Sequence, residues 1–208
     1  MRRYAAVLLA APALTACGTS VAASVMPALP ARCGPTGAAT LARSPAARIY
    51  VDRQVAYGCA GATGKSYRLG GRGACLVMPR VEPLLLAGSF AAYGLTTCGT
   101  DTAHSQVLVR NLANGKLLVG DYAISGGVPP ESFERVNAIV LKRDGAVAWL
   151  AGLGSIGLHG NRFEVVRVDR RGQALLDSGP RIAANSLRLQ GSTVTWTDGG
   201  RTRSATLD

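Results

Sequence analysis

The chain contains two histidines, His104 and His159, and these side chains are the best suited to proton transfer or metal binding. Imidazole exchanges a proton near neutral pH and is a common ligand of transition metals. Both histidines fall in predicted loops between β-strands, and the loops reach one face if the repeats described below lie in register. A two-histidine metal site, or an acid–base pair with Asp101, is then one interpretation. Exposed loop histidines are the simpler one, because few other groups converge there, and we assign no catalytic, metal-binding or cofactor-binding residue.

Two glycine-rich segments are similar to nucleotide-binding motifs. Residues 61–66 end like a phosphate-binding loop, but Cys59 stands where the motif requires its first glycine. Residues 152–157 satisfy G-x-G-x-x-G, yet the next residues predict a strand and not the helix whose N-terminus would bind a pyrophosphate. Leu153 also replaces the first glycine of a G-x-S-x-G elbow around Ser155. These segments predict turns and loops, and we expect no cofactor.

The first residues of the chain predict export. Arg2 and Arg3 are followed by an uncharged apolar run over residues 4–14, which is too short to span a bilayer. The next residues, Leu-Thr-Ala-Cys at 14–17, resemble the bacterial lipobox. This resemblance implies that residues 1–16 are a lipoprotein signal peptide and that Cys17 carries a diacylglycerol. The protein would then be anchored by lipid at the extracellular face of the cell membrane. The alternative is an ordinary secretory peptide, cut further on, that leaves a secreted protein.

Four further cysteines remain, namely Cys33, Cys59, Cys75 and Cys98. An even number in an exported chain predicts two disulfides, with three possible connectivities. A zinc site is not predicted, because the chain has no C-x-x-C pair and almost no histidine. The connectivity we expect joins Cys59 to Cys75 across a short loop, which leaves Cys33 to Cys98.

The composition is basic, with 23 Lys and Arg against 12 Asp and Glu and a formal net charge of +11. Such a charge favours anionic partners, which in the envelope are phospholipid headgroups, an anionic wall polymer or an acidic envelope protein. The arginines are scattered and do not alternate with aromatic residues as in a strand-binding groove. We therefore expect no nucleic-acid partner.

The remaining chain divides into an irregular segment and a β-rich domain. Residues 17–45 are rich in Ala, Pro, Gly, Ser and Thr, and this composition predicts a tether and an N-terminal arm held by Cys33. Residues 46–208 consist of short apolar runs separated by Gly, Asp and Asn, which predict an all-β domain. Four strand–turn–strand units are expected around residues 49–57, 83–93, 138–149 and 186–196. Each ends with an aromatic residue on its second strand: Tyr57, Tyr93, Trp149 and Trp196.

Two middle units continue with a second hairpin, marked by Asn114-Gly115 and Arg171-Gly172 turns. Each would then hold four antiparallel strands, and the first and last units would be shorter. The repeated pattern resembles the β-propeller repeat proteins of exported bacterial chains, which implies about four blades. A twisted β-sandwich is the alternative. We expect the four aromatic residues to fill the space between sheets.

These observations predict a non-enzymatic binding or scaffolding protein of the cell envelope. The sequence specifies no ligand. The alternative function is an envelope hydrolase whose site is assembled from loops of several blades, because residues that converge in space can be far apart in the sequence.

Overall fold

The computed structural model describes residues 33–125, 132–155 and 158–208; of residues 155 and 158–161 it describes the backbone alone. The described residues form fifteen β-strands and no helix, which confirms the all-β prediction. The predicted signal peptide, residues 1–16, and the predicted lipidation site, Cys17, lie outside the described residues. None of the described residues forms a helix with the length and hydropathy needed to cross a membrane.

The strands fall into four successive units, each a meander. The first contains β1 (Ala39–Arg43), β2 (Ala47–Asp52), β3 (Val55–Ala60) and β4 (Ser66–Gly71). The second contains β5 (Arg80–Ala87), β6 (Phe90–Cys98), β7 (Ala103–Asn111) and β8 (Leu117–Tyr122). The third contains β9 (Ser132–Leu141), β10 (Val147–Ser155), β11 (Leu158–Asp169) and β12 (Gly172–Gly179). The fourth contains β13 (Arg188–Gln190), β14 (Thr193–Asp198) and β15 (Arg201–Thr206).

Consecutive strands within a unit pair antiparallel, and the two predicted second hairpins are present as β7–β8 and β11–β12. The units meet through single parallel pairs, Gly71 with Arg80 between β4 and β5, and Ala103 with Phe133 between β7 and β9. One mixed sheet of 12 strands results, and β13–β15 form a separate three-stranded sheet. These sheets do not close, so the propeller prediction is not confirmed, and the architecture also fits the sandwich alternative.

The core lies in three layers, one between each pair of consecutive units. The layer between the first and second units contains Ile49 and Tyr93, and the next layer contains Val109 and Trp149. The layer between the third and fourth units contains Trp196. Burial of such aromatic and branched side chains on both faces of a sheet is what stabilises stacked β-units, which bury little surface alone.

The arm forms a strand, and this changes the register of the first unit. Because β1 precedes β2, the second strand of that unit carries Tyr50, whereas Tyr57 lies on the third strand. Tyr50 is 4% exposed, and its counterparts on the other second strands are also buried. Its ring stacks on Tyr57, with 5.5 Å between ring centroids. The strand β1 escaped sequence analysis because it is short and mostly exposed, without an alternating apolar pattern.

The disulfides join Cys33 to Cys59 and Cys75 to Cys98, with Cα–Cα distances of 5.6 and 5.4 Å. The expected pairing of Cys59 with Cys75 and of Cys33 with Cys98 is therefore wrong. The arm folds back along β2, which brings Cys33 beside β3 and its Cys59. The start of β5 pairs with the end of β6, which brings the loop of Cys75 to Cys98. Two disulfides are typical of proteins that fold outside the reducing cytoplasm.

Candidate functional site

The first turns of all four units converge on one cavity of about 750 Å³. These turns follow β1, β5, β9 and β13, and because every unit repeats the same meander, they lie at the same end of the molecule. The first strands also lie against one another, β1 against β5, β5 against β9, and β9 against β13. We call this space the four-turn cavity; its lining comes from residues 43–46, 86–88, 141–143, 189 and 191.

Hydrogen bonds between neighbouring units fix the rim of the four-turn cavity. Ser44 Oγ donates to the carbonyl oxygen of Gly88 at 2.6 Å, which joins the first unit to the second. Lys142 Nζ donates to the carbonyl oxygen of Leu207 at 3.1 Å and lies 3.4 Å from Ser192 Oγ, which joins the third unit to the fourth. The backbone of Leu207 is in turn bonded to Ser192. The rim is thus preorganised by contacts that need no ligand.

The charged side chains that line the four-turn cavity are all cationic: Arg43, Lys142 and Arg143. Lys142 is partly neutralised by Asp144, whose carboxylate lies 3.4 Å from its Nζ atom. Arg43 and Arg143 are exposed, and their side chains have no hydrogen bond or ion pair with any described residue. Two guanidinium groups are therefore available to an anion, for which the planar fork of arginine is well suited.

The walls of the four-turn cavity are mainly apolar. Leu86, Leu141 and Leu189 come from β5, β9 and β13, and Pro45 and Ala46 come from the first turn. Leu141 is buried, whereas Leu86 and Leu189 are only half-buried. The cavity therefore combines apolar sides with a cationic rim, and its volume lies in the range of small-molecule sites.

A second cavity, of about 510 Å³, lies on the other side of the third turn and shares Lys142 with the first. Its lining includes three carboxylates, those of Asp144, Asp169 and Asp208. A loop hydrogen bond from the Ala146 backbone and the Lys142 ammonium offset the burial of Asp144 and lower its pKa. The third turn thus separates a cationic cavity from one that contains acidic groups.

The Asp169 carboxylate holds the C-terminus in place. Its side chain has no exposed surface, and it accepts hydrogen bonds from the backbone nitrogens of Asp208 at 3.0 Å and Arg171 at 2.9 Å. Burial raises its pKa, but these bonds and the Arg167 guanidinium outweigh burial and lower the pKa to about 2. Because its acceptor sites are occupied within the chain, Asp169 is a structural group.

The two histidines lie on strands and not in the predicted loops, because β7 and β11 extend over both positions. His104, on β7, and Asp101, in the loop between β6 and β7, are exposed, and among the described residues no hydrogen bond or ion pair joins them. The side chain of His159 lies outside the described residues, although its backbone belongs to β11. No group of three or more His, Cys, Asp or Glu within the described ranges has a geometry that could hold a metal ion.

Two glutamates, Glu134 and Glu164, are buried, and the sequence analysis did not predict their burial. Glu134 is on β9 and is 2% exposed; its Oε2 accepts a 2.7 Å hydrogen bond from the Ser105 backbone, while Oε1 has no hydrogen-bond partner among the described residues. Burial raises the pKa of Glu134, against the opposing effects of the Ser105 hydrogen bond and the His104 charge. Glu134 shares its strand face with the buried Val136, and this alternation is the signal that could have placed it inside.

Glu164 on β11 is fully buried but, unlike Glu134, well satisfied. Its Oε2 accepts hydrogen bonds from the backbone nitrogen and the hydroxyl of Ser125, both at 2.8 Å. Its Oε1 forms an ion pair with Arg162. These contacts tie β11 to the end of the second unit, so Glu164 is also explained by structure.

The first glycine-rich segment forms a turn and a strand start, and the second begins in β10; its residues 156 and 157 lie outside the described residues. Residues 61–65 form the connection between β3 and β4, and Ser66 begins β4. Gly152 is in β10, where a Cβ atom would lie 2.9 Å from Cε1 of Phe163, so the glycine makes room for that ring. Strand β11 follows, as the sequence predicted.

Comparison with known proteins provides no relative from which a function could be transferred. No protein-family model matches the chain. No curated protein matches it either. Among the described residues, the four-turn cavity is therefore the feature that points to a function.

Proposed function

We propose that this protein is an exported, non-enzymatic binding or scaffolding protein of the cell envelope, and that its four-turn cavity binds an anionic group. In the envelope such a group occurs on phospholipids, on wall polymers and on acidic proteins. The observation that carries the proposal is the convergence of four corresponding turns on one cavity in which Arg43 and Arg143 have no acidic partner.

The same proposal includes a propeller-like arrangement of the four units. It is supported by the core layers between consecutive units and by the contacts between their first strands. In such an arrangement the first turns surround a common axis, and corresponding residues face one another across it. A site at this position receives one contribution from every unit.

The proposed location is the outer face of the cell membrane, with a lipid on Cys17 as the anchor. The apolar leader, the lipobox-like residues 14–17 and the two disulfides support it. Several acyl chains on one residue anchor a protein stably, whereas a single chain holds it only marginally. Mass spectrometry of protein from the membrane fraction is expected to find a diacylglycerol on Cys17 and no residues before it.

Electrostatics makes the binding proposal quantitative. A unit charge about 4 Å from an opposite one gains ~1 kcal/mol in bulk water and ~4 kcal/mol near a protein surface of lower effective dielectric constant. Two arginines at the cavity therefore suffice for a measurable preference for anions. Because the site is open, salt screens the interaction, and affinity is expected to fall as ionic strength rises.

The test measures the affinity of the full chain for polyphosphate, a soluble polyanion, by isothermal titration calorimetry. A Cys17→Ser background removes the lipid and hence the need for detergent. Replacing both Arg43 and Arg143 by Ala is expected to weaken binding at least tenfold, since it removes both unpaired cations. The matched control replaces Arg68 and Arg201, which are also exposed but lie on β4 and β15, away from the cavity.

The control variant loses the same net charge and is expected to bind within about twofold of the parent. An equal loss in both variants would mean that the overall charge, and not the four-turn cavity, attracts the anion. Hydrolysis of a glycan or an ester by the purified protein, abolished by His104→Ala, would replace the binding proposal with the hydrolase alternative.

A further inference from the structure

The four units contribute different kinds of side chain to the four-turn cavity at one corresponding position. The buried aromatic residues of the second strands provide a common register for the units: Tyr50, Tyr93, Trp149 and Trp196. Seven residues before each aromatic residue stands a residue that lines the cavity. In chain order these residues are Arg43, Leu86, Lys142 and Leu189.

At this position cationic and apolar residues therefore alternate from unit to unit. The first and third units contribute Arg43 and Lys142, and the third adds the unpaired Arg143. The second and fourth units contribute Leu86 and Leu189, which pack against the core layers on one side and are partly exposed at the cavity. A wholly hydrophilic anion would satisfy the cationic sides and leave the leucine sides in contact with water.

We infer that the ligand of the four-turn cavity is an anionic amphiphile, an acyl chain that ends in a carboxylate or a phosphate. Its head binds between Arg43 and Arg143, where guanidinium groups form paired hydrogen bonds with either anion. Its chain lies against Leu86 and Leu189, and removing this apolar surface from water adds to the affinity. This inference rests on the proposed function, because it names the ligand class of the same site.

An amphiphile is favoured because a ligand that pairs only with the arginines leaves the leucines in water, and one that contacts only the leucines leaves the arginines unpaired. Cations with no acidic partner predict an anion, and partly exposed leucines from two separate units predict an apolar group. Both sets line one cavity of about 750 Å³, so one ligand contacts both. A fatty acid and a lipid phosphate share this chemistry and differ in the head alone.

The experiment titrates the full Cys17→Ser chain with four soluble probes below their micelle concentrations: dodecanoate, dodecyl phosphate, dodecanol and inorganic phosphate. We expect at least one charged dodecyl probe to bind tenfold or more tightly than both dodecanol and inorganic phosphate. The preferred head distinguishes a fatty acid from a lipid phosphate. Equal affinity of dodecanol and the charged probes would overturn the inference, because the cationic sides would then play no part.

Variants test whether the leucine side chains of the four-turn cavity contact the bound chain. Leu189→Gln is expected to weaken dodecanoate binding at least fivefold without weakening polyphosphate binding, since it removes an apolar contact and no charge. Leu175→Gln is the matched control, because Leu175 is 50% exposed on β12, away from the cavity. Leu86→Ala, which shortens the apolar side chain on the second unit without adding a polar group, is expected to weaken dodecanoate binding in the same direction and provides a second test if the Gln variant unfolds.

The outcomes separate this inference from the proposed function. Polyphosphate binding that depends on Arg43 and Arg143, without binding of any charged dodecyl probe, overturns the inference and leaves the proposed function standing. Loss of both kinds of binding in the parent chain refutes both. Dodecanoate binding that is unchanged in Leu189→Gln and in the Arg43, Arg143 double variant places the amphiphile elsewhere and overturns the inference.

Discussion

Strand β9 connects two regions in which charge is used in opposite ways. Beside its last residue, Leu141, the four-turn cavity holds Arg43 and Arg143, which are exposed and have no partner among the described residues. Toward its other end, Glu134 is buried, and Glu164 is buried nearby on β11. The buried carboxylates bind backbone amides and hold strands together, whereas the exposed guanidinium groups hold nothing in the fold. The difference indicates which charges a ligand can use and which the fold needs.

Removing Glu164 is expected to have the largest effect on this comparison. Glu164→Ala removes a fully buried carboxylate, which is the acceptor for the Ser125 backbone nitrogen, the Ser125 hydroxyl and Arg162, whose side chain is 49% exposed. Hydrogen bonds to a charged group contribute about 1.5–3 kcal/mol each, so we expect a loss of about 3 kcal/mol of stability. Urea unfolding followed by circular dichroism measures this cost, and Arg143→Ala serves as the control, expected to change stability by less than about 0.5 kcal/mol. Similar losses of stability in the two variants would contradict the view that the fold needs Glu164 and does not need Arg143.

Asp169 is expected to have the next largest effect, and the effect depends on pH. Its pKa is lowered from 3.8 to about 2 by hydrogen bonds from Asp208 and Arg171 and by Arg167, which outweigh burial. The folded state therefore binds a proton less readily than the unfolded state. This stabilisation, about 2 kcal/mol from the size of the shift, is present above pH 4 and is lost as the pH falls towards 2. Asp169→Asn should remove both the stabilisation at pH 7 and this part of the acid dependence; an unchanged acid profile would contradict the assignment.

Substitution of Glu134 is expected to raise the stability, whereas the two preceding substitutions lower it, and the change is the smallest of the three. Its pKa is raised above 4.5 by burial, despite the Ser105 hydrogen bond and the His104 charge, and the nearby Glu164 charge also raises it. The folded state holds this proton more tightly, so stability falls as the pH rises from 4.5 through the folded pKa. Glu134→Gln keeps an acceptor for Ser105 and removes the buried charge, and we expect a gain of about 1 kcal/mol at pH 7. Thermal unfolding at pH 4 and pH 7 tests this, and a loss of stability at pH 7 would show that the ionised carboxylate is needed.

Much of the strand pattern could be predicted because apolar runs and turn residues are local signals. The hairpins at Asn114-Gly115 and Arg171-Gly172 are where the sequence placed them. The disulfide pairing failed because it depends on β1, a short exposed strand that carries Cys33 back to β3. Because β1 was not predicted, the sequence analysis named Tyr57, and not Tyr50, as the aromatic residue on the second strand of the first unit.

The candidate site was not predicted because it depends on how the four units align with one another in space. Arg43 and Arg143 are two of many scattered arginines, and nothing local distinguishes them from Arg68 or Arg201. Their convergence becomes visible only when the units are aligned on their buried aromatic residues. With β1 recognised, the position seven residues earlier would have identified the alternating sides from the sequence alone.

The Cys33–Cys59 bond has a consequence for how the row of units ends. In the later units the second-strand aromatic residue packs on the unit before it, but Tyr50 has no preceding unit among the described residues and packs instead on this disulfide. Terminal repeats need a cover of this kind, because their outer face has no neighbouring repeat to bury it. The crosslinked arm therefore covers the outer side of the first unit and keeps the Tyr50 ring out of water.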